Sequence, residues 1–293
     1  MTALDLDELD QLTGRRLGIH DAPCPLCGPT KRRAASQRKP VLRVWRLDPG
    51  FATFHCARCG GRGAARDGFS IRVDPEAIGR ARAEATERER KAAAERLSKA
   101  CWLWSKRRPL AGSIVQIYLR DARAYRGPLP ATLGYLAPRG DHGAAMIAAF
   151  GFPAEPEPGH LALDPAQLRG VHITRLAPDG SGKAGTTADK IMIGRSVGSP
   201  IVLAPANDLL GLAIAEGIED ALSVHAATGL GAWAAGAASR LPTLASAIPS
   251  YVGSITILLD DDDDGCRHAG ELAGRLKDCA FHVRLILPGG NFR

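Results

Sequence analysis

Apolar and polar positions in the last third of the chain follow two recurring patterns. Short, nearly continuous apolar runs predict buried β-strands, and the segments between them have the mixed spacing of helices. The predicted strands are residues 209–217, 231–236, 255–259 and 282–288, and the predicted helices are 218–229 and 265–279, with a poorer one at 240–249. Apolar strands separated by helices are typical of a parallel sheet that is covered on both faces. The pattern therefore predicts an α/β fold for residues 201–293.

The region nearest the N-terminus is rich in turns and short strands. Residues 41–47 and 51–56 have the composition of strands, and Asp48-Pro49-Gly50 between them is a turn sequence. This region, residues 1–72, is predicted to be a small β module.

A long charged helix is predicted to follow the small module. Asp74 suits the N-cap and Pro75 the first helical position, and the helix becomes apolar near Trp102. Short strands at 171–177 and 190–194 then lie among many glycines and prolines. The predicted division is a β module at 1–72, a linker helix at 73–108, a basic mixed α+β subdomain at 109–200 and the α/β domain at 201–293.

Composition and hydropathy exclude a membrane-spanning protein at the level of sequence. Hydrophobic residues make up 45% of the 293 residues, and the mean hydropathy is -0.09. No apolar run reaches the roughly 18 to 20 residues that cross a bilayer. The acidic N-terminus lacks a signal-peptide pattern, so a cytoplasmic location without a membrane partner is expected.

Charge is distributed unevenly along the chain. The formal net charge is +7, and residues 31–46 contain seven Lys or Arg and no acidic residue. By contrast, Asp260 to Asp264 are five consecutive acids. A basic region separate from an acidic pocket favours a protein that holds a polyanion and acts on it with metal ions.

Four of the seven cysteines form two closely spaced pairs. Cys24 and Cys27, like Cys56 and Cys59, have the Cys-x-x-Cys spacing, which in a cytosolic protein favours a metal site over disulfides. Four thiolates complete a tetrahedron around zinc and leave no open position, so a structural zinc ribbon within residues 1–72 is predicted. The alternative is a redox pair. Cys101, Cys266 and Cys279 are predicted to be small buried apolar residues.

The segment between the cysteine pairs combines cations with aromatic residues. Phosphate contacts and base stacking together favour single-stranded DNA as the ligand. The candidate binding residues here are Lys31, Arg32, Arg33 and Trp45. The alternative is that the aromatic residues of this segment form the small core of the module.

Acidic residues follow two of the predicted strands in the last domain. Glu216 ends the strand that contains LAIA, and Asp260 follows ITILL, with Asp262 two residues further on. Because the carboxyl ends of neighbouring parallel strands meet at one edge, these side chains are expected to lie close together. Carboxylates suit Mg²⁺ or Mn²⁺, which predicts a metal site. The alternative is a solvated acidic turn.

These motifs carry a family resemblance. LAIAEGIEDALS and ITILLDDDDDGCRHAGELAGRL resemble the Toprim domain, whose signature is Glu-Gly after one strand and Asp-x-Asp after a later one, often with Gly three positions beyond. Glu216, Asp260 and Asp262 match those positions, and Asp220 matches a further acidic position of primases. CPLC and FHCARCGGRG resemble the zinc ribbon of bacterial, phage and plasmid primases, and the middle of the chain resembles the segment before Toprim in mobile-element primases.

The resemblance implies a DNA primase, an enzyme that makes short RNA primers on single-stranded DNA from ribonucleoside triphosphates. It implies Mg²⁺ or Mn²⁺ at Glu216, Asp260 and Asp262, with Asp220 as a further candidate ligand. It also implies triphosphate or template binding by Lys183, Lys190 and Arg175, and a separate replicative helicase as partner. The alternatives are a Toprim nuclease and a non-catalytic adaptor that binds single-stranded DNA.

Two features depart from expected patterns. The family usually has an acidic residue in a Pro-x-Gly-x-Asp segment after the final strand, where this chain reads LPGGNFR with Asn291. The sequence APDGSGKAG resembles a phosphate-binding loop, but Ala177 and Ala184 replace the required Gly and Ser/Thr. A nucleotide-hydrolysing loop is therefore rejected, and Lys183 is assigned to the basic face instead.

Overall fold

A computed structural model describes residues 4–28, 37–67 and 75–287. The chain divides into two compact units, Met1–Arg90 and Lys91–Arg293. In the described residues, no helix has the length and apolar character needed to span a bilayer.

In its described residues, the first unit includes the short helix Leu6–Thr13 and an antiparallel four-stranded sheet. The Asp5 carboxylate caps the helix by accepting a hydrogen bond from the Glu8 amide at 2.8 Å. The strands lie in chain order: Gly18–Pro23, Pro40–Asp48, Phe51–Cys56 and Arg62–Arg66. The Arg46 guanidinium lies 2.6 Å from the Asp10 carboxylate and joins the sheet to the helix.

Strand alternation separates the aromatic residues of this sheet. Leu42, Val44 and Phe54 are buried in the small core of the unit. Trp45 alternates to the other face, where it pairs with Thr53 and remains half-buried. The alternative that the aromatic residues of this segment form the core of the module therefore holds for Phe54, whereas Trp45 remains accessible.

The long helix Pro75–Ser105 runs through the division between the two units. The predicted cap, Asp74, lies outside the described residues. Near the end of the helix, Ala100 and Trp104 are buried against Ile147 and Val171 of the second unit. This contact explains why the otherwise charged helix becomes apolar at its C-terminal end.

The first sheet of the second unit is antiparallel and is part of the predicted α+β subdomain. Its spatial order is Lys190–Gly194, Leu168–Arg175, Ala145–Gly151 and Leu133–Leu136. Smaller elements are the helix Ile114–Ile117, the π-helical turn Tyr118–Ala122, the short helix Pro165–Gln167 and the hairpin Ala154–Glu157 with His160–Ala162. One face of the sheet packs on the long helix through Ile147, and the other packs through Met146 toward the second sheet.

The second sheet of this unit has five strands. Its spatial order is Ile201–Ala204, Gly231–Ala234, Gly211–Ala215, Ser254–Leu258 and His282–Ile286. The last four strands are mutually parallel, as the apolar pattern predicts. Ile201–Ala204 is antiparallel, so the sheet has a mixed edge. That strand follows the first sheet directly and has no crossover helix before it, which is why the strand-helix pattern did not reveal it.

Helices cover both faces of the five-stranded sheet. Ile218–Thr228 packs on one face through Leu222, and Asp263–Asp278 packs on the other through Leu272. The predicted poor helix is a 3₁₀ segment, Ala238–Ala247, on the same side as Asp263–Asp278.

The prediction for the three unpaired cysteines is wrong. Cys266 and Cys279 are exposed, and Cys101 is half-buried. Cys266 and Cys279 belong to the helix Asp263–Asp278 and its end, whose buried stripe consists of Ala269, Leu272, Ala273 and Leu276. Cys266 lies in the first turn of the helix and Cys279 caps its end, so both are at the borders of the stripe and neither is covered by the sheet.

Candidate active site and zinc cluster

The acidic side chains emerge at one edge of the five-stranded sheet. Strands Gly211–Ala215 and Ser254–Leu258 are adjacent and parallel, with Ile214 paired to Ile257. Glu216 follows the first strand directly, and Asp260 follows the second. The carboxyl ends of these two strands therefore bring residues from distant parts of the chain to one edge.

Glu216 is the most perturbed carboxyl group at this edge. Burial and the adjacent negative charges of Asp260 and Asp262 raise its pKa to about 7, and a side-chain hydrogen bond with Asp260 adds to the effect. The positive charge of Lys190 acts in the opposite direction. Crowded carboxyl groups of this kind are stabilised in their charged form by a cation. Their oxygen donors suit Mg²⁺ or Mn²⁺.

Asp262 has a structural role in addition to its position in the acidic group. Its Oδ1 accepts a hydrogen bond from the Gly265 amide at 2.6 Å and so caps the helix Asp263–Asp278. A side chain at position 265 would place its Cβ 2.9 Å from the Cβ of Asp260, which explains why glycine is needed there. The Asp-x-Asp-x-x-Gly spacing thus brings the helix start close against the acidic edge.

The Glu-Gly turn has a similar steric explanation. A Cβ at position 217 would lie 2.5 Å from Oδ2 of Asp220. Glycine therefore allows the Asp220 carboxylate to lie against the turn that follows Glu216. Burial lowers the pKa of the nearby Arg123 guanidinium, but its hydrogen bond to Tyr118 and the negative charges of Glu219 and, to a smaller extent, Asp220 outweigh burial and raise it.

Basic side chains of the antiparallel sheet lie opposite these acids. Lys190 begins its strand and pairs with Thr174, and it is close enough to lower the pKa of Glu216. Lys183 lies in the preceding hairpin, where its backbone forms an isolated antiparallel β-bridge with Leu176. It is not at the start of a helix, as the lysine of a phosphate-binding loop would be. Its Nζ is 3.3 Å from Oε1 of Glu219.

Glu219 is the centre of a polar network that the sequence did not reveal. The Tyr118 hydroxyl donates to Oε1 of Glu219 at 2.6 Å, and Nε of Arg123 donates to the Tyr118 oxygen at 3.0 Å. Burial alone would raise the pKa of Glu219, but Lys183 and Tyr118 outweigh it and lower the pKa to about 2. The network therefore fixes Lys183 beside the acidic edge. The one sequence feature that pointed to this network is that Glu219 accompanies Asp220 as a second acid in the first helical turn after Glu-Gly.

Removing Lys183 is expected to destabilise the second unit, because the Glu219 side chain is only 12% exposed and would lose its charged partner. Lys183→Met should lower the free energy of unfolding by about 2 kcal/mol. Adding Glu219→Gln should restore most of the loss, since the amide carries no charge. Denaturant unfolding followed by fluorescence of the buried Trp104 and Trp233 measures both effects. Equal stability of Lys183→Met and the unaltered chain would contradict the network.

The buried His172 and the half-buried Arg240 lie behind the basic side chains. His172 is 3% exposed, and burial followed by the charge of Lys190 lowers its pKa to about 4. Its ring meets that of Phe150 edge-on at 6.4 Å. Arg240 stacks over Phe150 at 4.7 Å and donates to the carbonyl oxygens of Ala235 and Ser196. A neutral histidine here contributes packing without adding positive charge.

Not all predicted binding residues come together. Arg175 alternates to the face of its strand that carries Val171 and Ile173, opposite His172 and Thr174. Trp45 belongs to the first unit. Lys31, Arg32, Arg33 and Asn291 lie outside the described residues.

The four paired cysteines of the first unit converge on one point. Their Sγ atoms all lie within 4.8 Å of one another, with 4.0 Å between Cys24 and Cys59 and 3.9 Å between Cys27 and Cys56. Sulfurs held tetrahedrally at a zinc–sulfur distance of about 2.3 Å are roughly 3.8 Å apart. Within the described parts of the chain, only these side chains form a metal-ligating group so closely spaced. The cluster fits structural zinc, while His55 is exposed on the outer face.

Comparisons with known families agree with the arrangement of strands and acids. Residues 211–291 match the Toprim domain family. The chain contains a Toprim domain. Residues 94–203 match a domain of unknown function (DUF7146), which ends shortly before the Toprim domain begins. The resemblance to Toprim given by the Glu-Gly and Asp-x-Asp motifs is thus confirmed.

Two solved structures are similar to the chain at low identity. The primase fragment of the bacteriophage T7 primase-helicase protein has 13% identity and a TM-score of 0.36, over 92% of this chain and 90% of that one. The Aquifex aeolicus primase, with its zinc-binding and RNA polymerase domains, has 14% identity and a TM-score of 0.34, over 99% of this chain and 81% of that one. No curated protein is significantly similar to the chain.

Proposed function

We propose that this protein is a DNA primase that synthesises short RNA primers on single-stranded DNA. The observation that carries the proposal is the meeting of Glu216 and Asp260 at one edge of the Toprim sheet, with Lys190 opposite. Acids beside a fixed cation suit nucleotidyl transfer, because that reaction requires both metal ligands and binding groups for phosphate.

Glu216, Asp260 and Asp262 would hold the catalytic Mg²⁺ or Mn²⁺, with Asp220 beside the Glu-Gly turn as a further ligand. When bound, the cation would lower the pKa of a primer 3′-hydroxyl and neutralise charge on the reacting phosphates. Hydrogen bonding of Asp262 to the Gly265 amide holds its carboxylate at the start of the helix, where Gly265 lies close against Asp260. Rigid positioning of this kind is what the reaction needs from the protein.

Lys190 and Lys183 would bind the triphosphate or the template. Lys190 is already close enough to the acidic edge to affect Glu216, and Lys183 is held in place by Glu219. A fixed ammonium group binds phosphate without first losing the conformational freedom of its long side chain. Arg175 would contribute to template binding from the other face of its strand.

The zinc ribbon would bind the single-stranded template. Trp45 is accessible on the outer face of its sheet, and Arg66 lies 5.5 Å from the centre of the Phe51 ring on the same sheet. Together with Lys31, Arg32 and Arg33, these residues supply stacking surfaces and cations. The proposed partners are single-stranded DNA, ribonucleoside triphosphates and a separate replicative helicase, and the setting is the replication of a mobile genetic element in the cytoplasm.

The proposal is tested by incubating the full chain with single-stranded DNA, labelled ribonucleoside triphosphates and Mg²⁺. Short labelled RNA that requires both template and metal is the expected product. Labelled DNA that is degraded in Mn²⁺ without nucleotides would instead identify a Toprim nuclease. DNA binding without either product would identify an adaptor, and both of these outcomes would overturn the primase assignment.

A further inference from the structure

An exposed tryptophan lies between two cations near the end of the long helix Pro75–Ser105. Trp102 is 46% exposed, although tryptophan is one of the most costly side chains to leave in water. Nζ of Lys106 is 5.9 Å from the centre of its ring, and Cζ of Arg139 is 5.3 Å away. The combination is an accessible aromatic surface bordered by positive charge.

The two cations come from different elements. Lys106 directly follows the helix end, where a positive charge is favoured by the helix dipole. Arg139 belongs to the loop between strands Leu133–Leu136 and Ala145–Gly151, and its backbone forms a tight pair with His142. The dipole explains Lys106 but gives no reason for Arg139 to approach the same indole.

Core packing does not explain Trp102 either. Its near neighbour Trp104 is 3% exposed and fills the core beside Ala100, with Arg107 stacked over its ring at 4.0 Å. The two tryptophans of the Trp-Leu-Trp sequence therefore face in different directions. The inward residue serves packing, and the outward residue is left available to a ligand.

The charged groups that lie over the Trp102 ring are both basic. Lys106 and Arg139 are exposed, and Asp141 is the one acidic residue of the loop at 137–144. A ligand with both negative charge and flat, stackable groups complements this surface. Single-stranded nucleic acid has those two properties in every repeat unit.

This surface is separate from the acidic edge. The helix that carries Trp102 packs on the face of the antiparallel sheet formed by Ile147 and Val171. Met146 and Phe150 form the opposite face, toward the Toprim sheet. Trp102 therefore cannot act in the reaction itself and would hold a more distant part of the same strand.

We propose that Trp102, Lys106 and Arg139 form a binding site for single-stranded DNA, in which a base stacks on the indole and phosphates contact the two cations. As a contact with the template, the site rests on the proposed primase function; as a binding site, it can be measured independently. It assigns a ligand to the region 94–203, which matches a domain of unknown function.

The test measures the affinity of the full chain for a labelled thymidine oligonucleotide by fluorescence anisotropy. Trp102→Ala should weaken binding about tenfold because it removes the stacking surface, and Trp102→Phe by less than about threefold because phenylalanine keeps an aromatic ring. Arg139→Gln should weaken binding. It should also reduce the slope of log affinity against log salt concentration by about one, because one phosphate contact is lost. Tyr251→Ala removes an aromatic ring that is 61% exposed elsewhere and should leave affinity unchanged.

A crosslinking measurement identifies the contact directly. An oligonucleotide carrying iodouracil should crosslink to the peptide that contains Trp102, and the thermal stability of Trp102→Ala should match that of the unaltered chain. Unchanged affinity together with no crosslink at this peptide would overturn the site, even if primers are made. Binding and crosslinking that depend on Trp102 in a chain that makes no RNA would support the site and overturn the primase function.

Discussion

Asp260→Asn should abolish RNA synthesis on single-stranded DNA, with a loss of at least about 10³-fold in rate, because a metal ligand supplies several kcal/mol of transition-state stabilisation. The change preserves the size of the side chain, so the close packing of Gly265 against the Asp260 Cβ remains possible. Affinity for single-stranded DNA should stay within about twofold, since phosphate contacts are made by cations elsewhere. Rates of labelled ribonucleotide incorporation and anisotropy with labelled DNA measure the two effects.

The matched control is Asp261→Asn, which makes the same chemical change one position along the acidic run. Asp261 is exposed, and it lies between the two residues that carry the Asp-x-Asp signature. Its activity should remain within about twofold of the unaltered chain. If Asp260→Asn were as active as Asp261→Asn, the sheet edge would not be the catalytic site. The aspartates would then form a solvated acidic turn that binds no catalytic metal.

The second large effect concerns the cysteine cluster. The double change Cys24→Ser and Cys27→Ser should remove bound zinc and unfold the first unit, because structural zinc contributes about 10 to 16 kcal/mol in small zinc modules. The apolar core of this unit is small, and modules of this size need such a cross-link. The second unit should remain folded, since its cores contain none of these cysteines.

Metal analysis and hydrogen exchange check this result together. The unaltered chain should hold one zinc per molecule, and the double variant almost none. Amide protection should disappear across residues 37–67 and persist across residues 211–287. Cys279→Ser is the control, because Cys279 is exposed at a helix end far along the chain from the cluster. Retained zinc with unchanged protection in the double variant would disprove a structural metal site.

Local sequence patterns predicted much of the α/β domain. The strand around Ile257 and the helix that starts after Gly217 lie where the apolar runs placed them. The acidic residues were found because they occur at fixed positions relative to strand ends. Periodicity and strand ends depend on neighbouring residues, so a single sequence contains that information.

The contacts between distant elements were not predictable in the same way. The Tyr118 hydroxyl bonds to Glu219 across 101 positions of sequence, and Arg139 reaches Trp102 from a separate loop. His172 gave no sign of its environment, because a single polar residue in an apolar strand fits either face. Which side chains meet across such separations is decided by how the helices, loops and sheets of the folded unit pack together.

The cysteine pairs, the Glu-Gly and Asp-x-Asp motifs and the alternation of strands with helices can all be read from the order of residues. These features depend on spacing along the backbone, which the order of residues specifies directly. Three features came to light in the folded chain alone: the antiparallel edge strand Ile201–Ala204, the network that anchors Lys183 and the outward position of Trp102. Those features depend on which surfaces bury one another, and burial is a property of the whole folded unit.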